Sequence, residues 1–154
     1  MTENRAKIWV DADAVPREIR RVILKASQRR RVETLFVANR IPYGLTGPYV
    51  SAIQVQTSDD AADDYIVEHC RTGDLVVSAD VPLAARVVES GALIIQPRGR
   101  VLDAETVRES LSVRDFNEEL RSAGHETGGQ APFKPADKMR FANALDRWLT
   151  LNGF

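Results

Sequence analysis

Ile8-Trp9-Val10-Asp11-Ala12-Asp13-Ala14-Val15-Pro16 is the stretch from which the rest of the chain can be read. Its apolar opening, with β-branched Ile8 and Val10, suits a buried strand. The run stops abruptly at Asp11, and a second acid follows two residues later, so the chain leaves the strand through a polar exit loop. Pro16 suits the first turn of a helix, where a missing N–H costs nothing. Ile19, Val22, Ile23 and Ala26 then recur at i, i+3, i+4 and i+7, the spacing of one helix face. A strand, an acidic exit and an amphipathic helix make the first half of a βαβ unit.

The same grammar continues downstream. Thr34 to Ala38 reads as a second strand, and Pro42 to Pro48, with two glycines and two prolines, as a loop. Ile53 and Val55 mark a third strand, and Ala61 to Arg71 a helix closed by Gly73. Leu75 to Ala79 is a fourth strand ending at Asp80, with a helix from Pro82 to about Ser90, and Leu93 to Ile95 is a fifth, buried strand. Strands alternating with helices imply a mostly parallel sheet with right-handed crossovers. Beyond Pro97 the pattern turns helical. Asp103 is expected to cap one helix, Ser112 with Asp115 to form a capping box for another ended by Gly124, and Gly128 to Pro135 to be a loop. Phe141, Leu145, Trp148 and Leu149 give the last helix an apolar stripe. With no internal repeat, the 154 residues are expected to form one α/β domain, its helical extension (about 103–154) packed on the sheet.

Hydrophobic residues at 44% and charged residues at 28% place the chain among ordinary globular proteins. No run approaches the roughly 18 apolar residues of a membrane span. The opening MTENRAKIWV lacks a secretory apolar segment, so a cytoplasmic location and no membrane partner are expected. Cys70 stands alone, which leaves no intrachain disulfide and no cysteine-based zinc site, and His69 and His125 lack metal-ligand spacing. A net charge of −1 does not indicate a generic basic nucleic-acid binder. The charges are unevenly placed, however. Arg17, Arg20, Arg21, Lys25, Arg29, Arg30 and Arg31 form a basic stretch interrupted only by Glu18, while Asp59, Asp60, Asp63 and Asp64 form an acidic one.

In open α/β sheets ligands bind beyond the carboxyl ends of the strands. Asp11 leaves the first strand there, Asp80 leaves the fourth, and Asp60 and Asp63 begin the helix after the third. If the first and fourth strands are neighbours, these acids converge. Like charges held together raise one another's pKa, and a hard cation removes that penalty. Mg²⁺ and Mn²⁺ take oxygen ligands and keep several waters, so a few carboxylates suffice. Aspartate is also a favoured N-cap, and Asp13, Asp60 and Asp80 each precede a helix, with Asp63 placed as an N3 acid. Any one of them alone is better read as a cap than as a ligand. Asp11, which directly ends an apolar strand, resists that explanation.

Asp11-Ala12-Asp13-Ala14 with Pro16, Asp60-Ala61-Ala62-Asp63, and Gly73-Asp74-Leu75-Val76-Val77-Ser78-Ala79-Asp80-Val81-Pro82-Leu83-Ala84 together resemble the motifs of the YaiI/YqxD family of uncharacterised bacterial proteins. The resemblance continues through Pro97-Arg98-Gly99, Arg114-Asp115-Phe116, Leu120-Arg121 and Thr127-Gly128-Gly129, nearly the whole chain. It implies a three-layer PIN-like fold with strand order 3-2-1-4-5, five strands being visible in the sequence. PIN-like domains are metal-dependent nucleases. The resemblance places their acidic positions at Asp11, at Asp60 or Asp63, and at Asp80, with Asp13 an additional acid. Val15 departs from the pattern, since a cysteine often precedes the proline, which removes a thiol and leaves the acids untouched. Asp64 falls where other members can carry asparagine, which ranks it below Asp63.

The leading expectation is a Mg²⁺- or Mn²⁺-dependent phosphodiesterase acting on RNA or single-stranded nucleic acid. Asp11, Asp63 and Asp80 are its candidate catalytic residues, and Asp11, Asp13, Asp60, Asp63 and Asp80 its candidate metal ligands. Arg98 and Arg100, after the fifth strand, are candidates for holding a backbone phosphate, though a solvated arginine explains each as well. Ser78 reads more simply as a small residue tolerated in a strand than as a phosphate ligand. Tyr43 and Tyr49 either stack on bases or pack their loop. Two alternatives remain. Asp11-Ala12-Asp13-Ala14-Val15 also fits the opening motif of haloacid-dehalogenase-like phosphatases, with Asp11 as nucleophile and Asp13 as acid-base partner. None of the lysines, Lys7, Lys25, Lys134 and Lys138, sits where that chemistry needs one. The other alternative is a non-catalytic RNA- or partner-binding protein with a structural ion. Oligomeric state is not legible in the sequence.

Overall fold

A computed structural model describes residues 5–58, 60–112 and 132–154. The chain runs β1 (Ile8–Asp11), a 3-10 turn (Ala12–Ala14), α1 (Arg17–Arg30), β2 (Thr34–Ala38), β3 (Val50–Gln54), α2 (Ala61–His69), β4 (Leu75–Val77), α3 (Val81–Val88), β5 (Leu93–Ile95) and β6 (Val101–Leu102). A helix over residues 104–112, α4 here, and the long α5 (Pro135–Leu151) complete the described elements.

The sheet order is β3-β2-β1-β4-β5-β6. The first five strands pair in parallel, with Ile8 opposite both Thr34 and Leu75, so β1 and β4 are neighbours at the centre. The expectation of five strands is corrected to six. β6 pairs antiparallel with β5, Ile95 facing Val101. This strand is only two residues long and is created by a turn rather than by composition. Gln96 N–H donates to Arg100 O at 2.8 Å and Gly99 N–H to Gln96 O at 2.8 Å. Gly99 adopts φ +94°, and a Cβ there would sit 2.6 Å from the Arg140 carbonyl carbon of α5, so the turn requires glycine on both counts.

Side-chain alternation divides the core into two layers. Ile8, Val10, Phe36, Ala38, Leu75, Val77 and Ile95 pack with α1 and α5 on one face. Trp9, Leu35, Val37, Val76 and Ile94 pack with α2, α3 and Val107 of α4 on the other. The expected stripe of α5 is buried throughout: Phe141, Leu145, Trp148 and Leu149 are all under 7% exposed. Arg30 at the end of α1 locks the two helices on this face, donating to Asp146 at 2.5 Å and to Thr150 at 2.8 Å. The helix faces read in the sequence are thus the ones that hold the three layers together.

Asp103 caps α4 as expected, its carboxylate accepting from the N–H groups of Glu105 and Thr106. Ser112 is the last described residue of α4, and the rest of the capping box expected there lies outside the described residues. Asp115, Gly124 and the segment from Gly128 to Ala131 fall outside the described residues, as do His125 and Asp59. Pro135, expected to end a loop, occupies the first turn of α5.

Candidate acidic site at the carboxyl edge

The strand order reverses between β1 and β4, and in doubly wound sheets that switch point opens a crevice beyond the strand ends. Period-two alternation decides what faces it. Trp9 and Val76 point to the α2/α3 layer, so Asp11 and Ser78, two residues further along each strand line, point the same way. The two meet: Ser78 Oγ donates to Asp11 Oδ2 at 2.9 Å, with both residues buried. The same hydroxyl accepts from Asp80 N–H at 3.0 Å, so one serine fixes the ends of both central strands. Sequence reading treated Ser78 as a tolerated small residue, because its partner lies 67 positions away.

Asp80 sits at the N-cap of α3, and its Oδ1 accepts from Leu83 N–H at 2.9 Å. The capping role weighed from sequence is therefore real for this residue, and it leaves Oδ2 available. Asp60 is the N-cap residue of α2 but makes no side-chain cap bond. Asp63 stands in the first turn of α2, partly buried. Asp13, exposed in the 3-10 turn, accepts from Asn39 N–H at 2.7 Å and so ties the exit of β1 to the exit of β2. Asp64 turns aside to pair with Arg86 at 3.0 Å, linking α2 to α3.

The charges feel one another. Burial pushes the Asp11 carboxyl above its ordinary range, the Ser78 hydrogen bond pulls it back, and repulsion from Asp13 and Asp80 raises it again. Burial followed by repulsion from Asp80, Asp11 and Asp60 pushes Asp63 up to about 6, against a smaller lowering by Arg86. Three chain segments therefore place mutually repelling carboxylates at one sheet edge, as the spacing argument required. Convergence has a limit, though. Among the described residues no three His, Cys, Asp or Glu side chains stand close enough to enclose an ion by themselves.

The donor chemistry suits a hard cation all the same. Every candidate atom is an oxygen, and Asn39 Oδ1, at the same edge, is buried with no hydrogen-bond partner. Mg²⁺ is commonly held through one or two carboxylates, with water filling the other positions, so the absence of a ready three-acid cage does not conflict with this ion.

Of the two arginines expected at a phosphate, Arg98 is engaged within the fold. Arg98 donates to Asp137 at 3.1 Å and reaches Pro132 O at 3.4 Å. Asp137 is buried, also receives Arg140 and the Lys134 N–H, and is held below the usual carboxylate range by that N–H first and by the arginines after it. Arg98 thus helps dock α5 onto the β5–β6 turn. Arg100 is exposed.

A further buried aspartate has a role that the sequence pattern does not disclose. Asp74, 5% exposed, lies at the opposite, amino edge of the sheet. It accepts from Lys7 N–H at 3.0 Å, from Trp9 Nε1 at 2.9 Å and from Arg71 N–H at 2.9 Å. The Gly73-Asp74 pair is a structural clasp between β1 and β4, and its signal in the sequence was only the position immediately before an apolar strand.

An α/β three-layer domain with an acidic switch point is the class that fold and site define. The chain belongs to the family described as "Uncharacterized BCR, YaiI/YqxD family", whose model matches residues 9–151. It is similar to the UPF0178 protein of Saccharophagus degradans, 49% identical over 144 residues that cover 94% of this chain and 95% of the relative. A UPF0178 protein of Bordetella petrii is 52% identical over 140 residues, 91% of this chain and 93% of the relative. No solved structure matches.

Proposed function

We propose that the protein is a Mg²⁺- or Mn²⁺-dependent phosphodiesterase acting on RNA or single-stranded nucleic acid, with Asp11, Asp63 and Asp80 at its centre. The observation that supports it most is the buried Asp11 carboxylate, held by Ser78 and opposed by Asp13 and Asp80 at the switch point. A fold that needed only helix caps would not bury a strand-end acid among other acids, because an unpaired buried charge is costly. A divalent ion at such carboxylates supplies charge stabilisation for a phosphoryl group and a water of lowered pKa.

The chain's own contribution is positional. Ser78 fixes the Asp11 rotamer, so that the other carboxylate oxygen stays free, and Asp80 is held through its own N–H and Leu83 N–H. Asp63, with a pKa of about 6, is suited to accept a proton near neutral pH. The phosphatase alternative lacks its lysine and would need an arginine in its place: Lys7 pairs with Glu33 at the amino edge, Lys25 lies on α1, and Lys134 and Lys138 lie at the start of α5.

Purified protein with Mn²⁺ is expected to cleave a labelled single-stranded RNA, and Asp80→Asn to abolish cleavage while retaining a cooperative melt. Equal cleavage by wild type, Asp11→Asn and Asp80→Asn would assign it to a contaminant. Hydrolysis of a chromogenic phosphate monoester lost in Asp11→Asn, with a beryllium fluoride adduct, would favour the phosphatase instead.

A further inference from the structure

Helix α1 carries six cations and one acid, a net +5 in a chain whose total is −1, so the remainder of the protein carries −6. Its apolar residues Ile19, Ile23 and Ala26 are buried in the core. Two of the cations are occupied: Arg20 donates to Val15 O at 2.7 Å and Arg30 holds α5. The other four, Arg17, Arg21, Lys25 and Arg29, are exposed, and among the described residues none forms an ion pair. They are spaced four apart, so each lies about 6 Å further along the helix than the last and the row spans about 18 Å. Like charges four apart destabilise a helix, and an exposed face needed only for solubility would relieve them with interspersed acids.

We propose that Arg17, Arg21, Lys25 and Arg29 form a phosphate-binding row that holds a single strand of nucleic acid and leads it to the acidic edge. Direction comes from topology. α1 starts six residues after Asp11, at the carboxyl edge, and runs back toward the amino edge to reach β2, so the Arg17 end lies at the same sheet edge as the acidic site, in the layer on the other face. The cation spacing is close to that of successive phosphates on an extended strand, giving about one contact per nucleotide over four nucleotides. A membrane surface fits less well, because the apolar side of this helix is already packed on the sheet and none is left to enter lipid. The inference rests on the proposed function only for where the strand leads; the binding itself needs no turnover.

Binding of fluorescein-labelled oligouridylate is measured by anisotropy in EDTA between about 50 and 300 mM KCl, where each lost single-strand contact lowers the salt slope by about 0.7. Arg21→Gln, Lys25→Gln and Arg29→Gln are each expected to lower that slope by this amount and to weaken binding several-fold at the lowest salt, and the triple variant to lower the slope by about 2. Arg71→Gln, exposed at the opposite edge, is expected to bind as wild type. Melting temperatures of the single variants should match or exceed that of wild type. No oligonucleotide binding by wild type, equal losses in the row and in Arg71→Gln, or capture by phosphatidylglycerol vesicles without oligonucleotide binding would each overturn the proposal. Cleavage with Mn²⁺ is scored separately. Binding lost in the row variants with no cleavage by wild type leaves the row standing and removes the nuclease. Cleavage by wild type with unaltered binding in the row variants does the reverse.

Discussion

Neutralising Asp63 with Asp63→Asn is expected to raise the melting temperature of the metal-free protein at about pH 7.5, where its carboxyl is ionised in both folded and unfolded chains. The folded carboxyl titrates at about 6, against 3.8 for a free aspartate side chain. One unit corresponds to about 1.4 kcal/mol, so the ceiling is about 3 kcal/mol of native-state destabilisation at neutral pH. Asp63 is partly exposed and screening reduces this; about 1 to 1.5 kcal/mol is the reasonable expectation. For a domain of this size that shifts the melting point by about 2–5 °C.

The direction with pH follows from proton binding. Because the folded pKa is raised, the native state holds an extra proton between about pH 4 and 6. The associated stability is fully present below the unfolded pKa and is lost as pH rises through about 6. Melts in chelator at about pH 4, 5, 6 and 7.5 should therefore show wild type and Asp63→Asn converging at the acid end, separating between about pH 4 and 6, and staying apart above that. Mn²⁺ should stabilise wild type more than the variant, since binding to the native state raises stability by mass action. A simple N3 acid predicts the opposite sign: losing its charge at a helix start should cost up to about 1 kcal/mol at neutral pH. A drop in the apo melting temperature for both Asp63→Asn and Asp63→Ala, together with a wild type indifferent to Mn²⁺, would refute the acidic-site reasoning.

Ser78→Ala removes the hydrogen bond that lowers the Asp11 pKa, so Asp11 should titrate still higher and the acid limb of any Mn²⁺-dependent cleavage should move to higher pH, as a pH–rate profile would show. A profile unchanged in position, with only a lower plateau, would assign Ser78 a packing role alone. Asp74→Ala strips acceptors from three donors, one of them the buried Trp9 Nε1, and should cost about 2–4 kcal/mol in urea melts while leaving the stabilisation by Mn²⁺ intact. Loss of the Mn²⁺ effect with little loss of stability would mean that the two edges had been assigned the wrong roles.

What was legible in the sequence was whatever short-range pattern encodes. Thr34–Ala38 and Leu93–Ile95 are continuous apolar or β-branched runs between breakers, and both strands occur with the bounds read from the residues. The sequence places β3 late, at Ile53 and Val55, because as an edge strand it is only partly buried, and Ser51 isolates Val50 from the apolar residues that follow. β6 was missed for a different reason: a closed turn and an approach to α5 make it, and neither is local in sequence. The convergence of Asp11, Asp63 and Asp80 was readable from topology, since strand order alone brings β1 beside β4. The hydroxyl that organises them was not, and neither was the clasp of Asp74, because each depends on partners more than 60 positions away.

The two buried aspartates of the central strand pair supply an internal comparison. Asp74 and Asp11 are buried to a similar degree, at 5% and 6% exposure, and lie at opposite ends of the same two strands. Asp74 accepts from three N–H groups, one on each oxygen and a second on Oδ2, so its charge is answered by the fold itself. Asp11 accepts one hydroxyl among the described residues and faces the charges of Asp13 and Asp80. The chain is therefore able to satisfy a buried carboxylate at this strand pair, and does so at one end. Leaving the other end under-satisfied at the topological switch point is a local conflict of the kind that folded proteins retain where a ligand resolves it. What resolves it must carry positive charge or donate protons to oxygen. On the proposed function that ligand is a divalent ion, which would answer the carboxylate oxygens directly.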